Sequence, residues 1–239
     1  MTIPLQPVLQ HLSCREQHWV GDGFKVSTVF SPHQMDAQTL SPFLLMDYAA
    51  PCAFPPTRVA RGVGEHPHRG FETVTLAYEG EITHRDSCGG GGTIAAGDVQ
   101  WMTAGSGVVH EEMHSARFGA EGGLFEMVQL WVNLPARLKM TAPRYQALKG
   151  DRFPTLDFGC ASGRLIAGAL QGLTGPARTH SPVTLFDIAW NEAGCAHMAL
   201  SKGATTLIFL LHGRARAQGE REVHAGDLLV FDRSAHGRI

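Results

Sequence analysis

Histidines and acids recur at strand spacing between residues 66 and 112. The stretch opens His66-Pro67-His68-Arg69-Gly70-Phe71-Glu72 and closes His110-Glu111-Glu112. In a β-strand successive side chains point to opposite faces, so residues two apart share a face. His66 and His68 then look the same way, as do His110 and Glu112. With those strands side by side, three imidazoles and one carboxylate converge on one point. That donor set suits a divalent ion of the Fe, Mn, Cu, Ni, Co or Zn group, because imidazole is a borderline ligand and no thiolate takes part. Four protein ligands leave open positions on a larger coordination shell, which points to catalysis or ligand exchange rather than a structural staple.

Parity alone leaves the carboxylate open. Glu72 shares parity with His66 and His68, and Glu112 shares it with His110. Glu111 should point away, and His114 has the right parity one pleat further along. The histidines at 11, 18, 33, 180, 197, 212, 224 and 236 have no such spacing and read as surface or core.

Such a constellation needs strands on both sides. Residues 24–30 are β-branched and aromatic, and residues 42–48 form a short apolar run. Prolines 51, 55 and 56 mark a loop. Residues 71–78 read as a strand that turns at Glu79-Gly80-Glu81 into 82–86. The glycine run 88–92 is followed by neither Lys-Ser/Thr nor a helix pattern, so it reads as a hairpin turn and not as a phosphate cradle. Residues 99–102 form another strand, and Gly105-Ser106-Gly107 turns into the strand carrying His110. The longest apolar run, 124–134, should be a central strand ended by Pro135. Residues 136–148 read as a connector with helical character, which places a domain boundary there: 1–135 and 136–239.

The second half repeats the first in outline. Residues 205–211 followed by His212-Gly213 resemble 73–78 followed by Glu79-Gly80. Ala225-Gly226-Asp227 resembles Ala96-Gly97-Asp98. Matching turn phrases at matching offsets indicate a duplicated β-module. The positions equivalent to the ligands fall on Ala199, Ser201 and Ile239, so the second copy should carry no metal.

Composition limits the alternatives. The 239 residues are 44% hydrophobic and 18% charged, as in ordinary soluble globular chains. A net charge of −2 provides no field for nucleic acid. Glu16 and Asp22 interrupt the first thirty residues, so no signal peptide is expected, and no apolar run approaches a membrane span. The five cysteines, at 14, 52, 88, 160 and 195, form no C-x-x-C pair and read as reduced thiols of a cytoplasmic protein. Many short strands with Gly/Pro turns and no long helix argue for an all-β sandwich or barrel. A His-x-His on a barrel strand plus a distal histidine is the general cupin arrangement.

Residues 66–73, 97–105, 107–113 and 129–134 closely resemble the pirin family, with the likeness dense over 43–145. That resemblance implies a bicupin, two antiparallel β-barrels packed together with one metal, usually iron and hence Fe(II), in the N-terminal barrel. It maps the ligands onto His66, His68, His110 and Glu112. Pirin-like chains continue past the position of Ile239, so the second barrel is expected to be truncated or closed otherwise. The resemblance further implies a quercetin 2,3-dioxygenase that takes a small aromatic flavonol and dioxygen and releases carbon monoxide. Glu112 would accept the flavonol's proton. Arg69 is a candidate to stabilise an anionic substrate or to form a rim salt bridge. The aromatics Phe43, Phe54, Phe71, Trp101, Phe125 and Trp131 are candidates to line the barrel mouth for the flavonol but read as core, and none is assigned to the substrate. The same resemblance allows a non-enzymatic regulator, whose metal acts as a redox-sensitive switch for binding a transcription factor or metabolic enzyme. A third option is another oxygenase or an isomerase, since the fold alone does not choose the chemistry.

Overall fold

The computed structural model describes residues 6–13, 15–198, 203–217 and 221–234. Ala199, Ser201 and Ile239, where the second repeat is expected to lack ligands, lie outside the described residues, as do Cys14 and His236. Up to residue 148 the strands are β1 (Val8–Ser13), β2 (His18–Val20), β3 (Phe24–Phe30), β4 (Phe43–Phe54), β5 (Gly62–His68) and β6 (Phe71–Glu79). They continue with β7 (Glu81–Asp86), β8 (Gly91–Ala95), β9 (Val99–Thr103), β10 (Val108–His114), β11 (Gly123–Asn133) and β12 (Arg144–Leu148). The class is all-β. No helix among the described residues is long and apolar enough to cross a membrane.

Seven strands form one sheet in the order β12-β9-β6-β11-β4-β3-β2, and four form another in the order β5-β10-β7-β8. The apolar run of β11 is central: it pairs antiparallel with β4 on one side and β6 on the other. Parity then decides what each face of the larger sheet meets. Val74 and Leu76 of β6, Val99 and Trp101 of β9, and Leu130 and Val132 of β11 enter a core shared with Ile166, Val183, Leu228 and Val230 of the second half. Their neighbours Thr75, Gln100 and Gln129 point the other way, toward the four-stranded sheet, where they meet Glu112 of β10. One end of the space between the sheets is filled by Phe24, Ala77, Ile82, Ile94, Phe125 and Met127. His66, His68, His84 and His110 occupy the other end.

The connector expected to have helical character opens with one helical turn and ends in a strand. Only Ala136–Leu138 makes a 3-10 turn, and β12 pairs with β9 of the first sheet. The reason is again alternation: Tyr145 packs beside Met102 and Val108, and Leu148 packs against the shared core. In the opposite direction, β1 pairs with Asp227–Phe231, which also pairs with Leu207–Phe209. Hydrogen-bonded strands therefore cross the Pro135 boundary both ways. The four described cysteines that carry free thiols are Cys52, Cys88, Cys160 and Cys195.

Candidate metal centre

Three strands of the small sheet carry the cluster. His110 pairs with His66 across β10–β5, and His68 stands opposite Val108. On the other side of β10, His110 pairs with Asp86 and Glu112 with His84 of β7. Directly opposed residues share a face, so Val108 and the six polar side chains are presented to the same space. β5 is the edge strand of its sheet, which is where Pro67 is tolerated.

Between His66 and Val63 the pairing with β10 slips, so β5 carries an extra residue there. This bulge aims the Gly64 carbonyl at the site, and bulges next to active sites commonly re-aim a group in this way. His66 Nδ1 lies 2.8 Å from Gly64 O. A carbonyl only accepts, so Nδ1 carries the proton and Nε2 keeps its lone pair.

One donor atom each from His66, His68 and His110 lies within 4.8 Å of the others. His84, His110 and Glu112 form a second such group, sharing His110. His110 is 1% exposed, and its Nε2 has no hydrogen-bond partner among the described residues. Burial, then the imidazoles of His66, His68 and His84, pushes His110 down to about 2. Burial, then His66, pushes His68 down to about 4. Both rings are therefore neutral, the form that binds metals. An orphaned, buried, neutral nitrogen beside two further imidazoles fits a first-row divalent ion.

Glu112 is buried, and the larger sheet holds it. Gln100 Nε2 donates to its Oε1, and Gln129 Nε2 approaches Oε2 at 3.5 Å. The Thr75 hydroxyl lies 3.3 Å from Oε1 and 2.6 Å from Gln129 Oε1. Burial raises the Glu112 carboxyl above the ordinary range, opposed by His84, His66 and these hydrogen bonds.

The two glutamates left open by parity occupy different places. Gly70, with φ of +78°, breaks the chain between β5 and β6, so strand parity does not carry from His68 to Glu72. Glu72 lies on the Val74 side of β6, where its Oε1 accepts from the Thr103 hydroxyl at 2.7 Å. It belongs to neither donor group. Glu111 points outward to Arg85 at 2.7 Å. His114 sits among Phe24, Phe54, Phe118 and Phe125, with Nε2 at 2.9 Å from Gly23 O. Arg69 makes no ion pair among the described residues and reaches Met140 Sδ at 3.3 Å.

Of the aromatics, Phe71 and Trp131 pack edge-on against His68, with ring centroids 5.1 and 5.2 Å away. Trp101 is core, and Phe54 and Phe125 lie in the apolar end. Sequence reasoning missed His84, Asp86, Gln100 and Gln129. The available signals were the parity of His84-x-Asp86 and the lone amides inside two apolar runs.

An all-β fold of paired antiparallel sheets around a histidine cluster is the cupin class. The family model described as Pirin matches residues 23–132. A Pseudomonas aeruginosa protein, provisionally named a quercetin 2,3-dioxygenase, is 49% identical over 219 residues, 91% of this chain and 76% of that protein. A pirin-like protein of Caulobacter vibrioides is 39% identical over 220 residues, 90% of this chain and 75% of its own length. The crystal structure of a quercetin 2,3-dioxygenase from Acinetobacter baumannii matches with a TM-score of 0.94 and 46% identity, covering 98% of this chain and 82% of that one. The chain belongs to the pirin family. It spans 57% to 60% of the length of several plant and mammalian pirins.

Proposed function

We propose that this chain is a metal-dependent dioxygenase that opens the central ring of a flavonol such as quercetin and releases carbon monoxide. Residues 1–135 carry the site and the setting is cytoplasmic. The observation that carries the reading is the Nε2 of His110, buried and without a partner among the described residues, beside His66 and His68. The names of the Pseudomonas and Acinetobacter relatives supply the substrate class.

His66, His68, His110 and Glu112 would hold the ion, with Fe(II) first among the metals. Such an ion supplies Lewis acidity toward a bound hydroxyl and, as iron, reactivity with dioxygen. Everything else falls to the chain. Strands β5 and β10 of the small sheet fix the three histidines, and the neutral state of His68 and His110 leaves their lone pairs free. Glu112, with its proton affinity raised by burial, is the acceptor for the flavonol's hydroxyl proton. Gln100 and Gln129 orient that carboxylate through its two oxygens. Phe71 and Trp131 wall the His68 side with apolar surface, which suits an aromatic, uncharged substrate and keeps water away.

The test is a quercetin assay in air with metal content determined on the same sample. Loss of the flavonol absorbance should match oxygen uptake and carbon monoxide release, and should track metal occupancy. A fully metallated protein without turnover would overturn the dioxygenase reading and turn attention to the regulatory one.

A further inference from the structure

A second histidine stands behind His110, and the metal-site reading does not use it. His84 Nδ1 lies 3.1 Å from His110 Nδ1, and His84 Nε2 lies 3.1 Å from Asp86 Oδ2. Asp86 Oδ1 accepts from the backbone N–H of Cys88 at 2.8 Å and of Gly90 at 2.9 Å. The ring of Tyr145 stacks on that of His84, with centroids 4.5 Å apart and planes 11° from parallel. His84 is 1% exposed, so solvent does not compete for these bonds.

The protons in this row can be assigned from its outer end. A carboxylate that takes two backbone N–H groups acts as an acceptor, so His84 Nε2 carries a hydrogen and donates it to Asp86. In the tautomer that carries its single proton on Nε2, His84 Nδ1 is a bare lone pair. Two bare nitrogens facing each other at 3.1 Å would repel. His110 Nδ1 must therefore carry the proton between them, which leaves the lone pair of His110 on Nε2. That is the atom found buried without a partner.

We propose that Asp86 and His84 are positioning residues that set the tautomer and ring orientation of His110, so that its Nε2 faces the metal. The inference rests on His110 being a metal ligand, as in the proposed function. It gives the glycine run at 88–92 a role beyond that of a hairpin turn. A Cβ on Gly90 would sit 2.3 Å from Asp86 Oδ2, so the turn closes around this carboxylate only because residue 90 has no side chain. Outer partners of ligating histidines generally alter metal affinity about 10–100-fold.

The test compares wild type with Asp86→Asn, His84→Leu and His84→Gln. Co(II) affinity is measured by chelator competition, together with the visible d–d spectrum, and His66→Ala serves as the ligand-loss control. Asp86→Asn turns an acceptor into a donor, and His84→Leu removes the acceptor for His110. Both should weaken Co(II) binding about 10–100-fold and shift the d–d bands, while still reaching one metal per chain at saturation. In His84→Gln the amide oxygen can accept from His110 Nδ1, so part of the affinity should return. Long-range ¹H–¹⁵N correlations of the apo wild type give a reading that does not depend on any variant folding. They should show His84 protonated on Nε2 and His110 on Nδ1.

Wild-type affinity and spectrum in both Asp86→Asn and His84→Leu would overturn the proposal. So would the opposite tautomers in the apo protein. Loss of the stoichiometric site in His84→Leu, as in His66→Ala, would make His84 a ligand instead. A wild-type chain that takes up no Co(II) would remove the metal reading itself, and this inference with it.

Discussion

At the scale of residues, the site depends on which atoms are left without partners. His66 commits Nδ1 to the Gly64 carbonyl, and His110 Nε2 has no hydrogen-bond partner among the described residues. His66→Ala and His110→Ala should each abolish stoichiometric metal while far-UV circular dichroism still reports the strands. A variant that keeps one metal per chain would refute the assignment of that ligand. Glu112 and Glu72 are separated in the same manner. Glu112→Gln should lower turnover about 100-fold or more, because the proton acceptor is gone. Glu72→Gln should leave turnover near wild type, since Glu72 bonds Thr103 on the opposite face of β6. The reverse order in steady-state kinetics would move the acid–base role to Glu72. The histidines were legible in the sequence because strand alternation is local. Glu112 was not separable from Glu72, because the Gly70 break that resets parity is a backbone event.

At the scale of elements, β10 organises the centre, since it brings β5 and β7 to opposite sides of His110. The approach is close at Gly62, where an added Cβ would lie 2.2 Å from Glu112 O and 2.6 Å from Met113 Sδ. Gly62→Ala must push β5 from β10, and overpacking of this kind costs about 1–3 kcal/mol. The urea midpoint should fall, and metal affinity should fall with it because β5 carries His66 and His68. An unchanged midpoint would show that the strands yield there without cost. The strands themselves were readable from alternation and turn residues. In residues 136–148 the helical character is the 3-10 turn Ala136–Leu138, while β12 was not legible because its partner, β9, is distant in sequence.

At the scale of the whole molecule, Asp227 ties β1 to the second half of the chain. Its carboxylate accepts from Ser13 Oγ at 2.6 Å and from the His224 N–H at 2.9 Å, and it meets His11 Nε2 at 3.0 Å. Arg15 lies 3.5 Å away. Burial alone would raise this carboxyl, but the bonds from Ser13, His224 and His11 outweigh it and bring it down to about 2. The unfolded value is about 3.9, so the native state binds fewer protons. The stability this network contributes is complete above about pH 4 and is lost as the pH falls toward about 2. Asp227→Asn should lower the thermal midpoint at neutral pH, and the gap to wild type should narrow over that acid window. A constant gap from pH 5 to 2.5 would mean that the carboxylate's charge is not what holds β1 in place.

Alternation, turn residues and the His-x-His spacing determined the all-β class, the three histidines and the family likeness, because each is a property of neighbours along the chain. Tertiary structure decided the rest. That Glu112 and not Glu72 stands beside the histidines, that Gln100 and Gln129 hold it, and that Asp86 and His84 back His110 all depend on register between strands distant in sequence. Register is set by packing across the two sheets, where a shift of one residue turns every side chain to the other face.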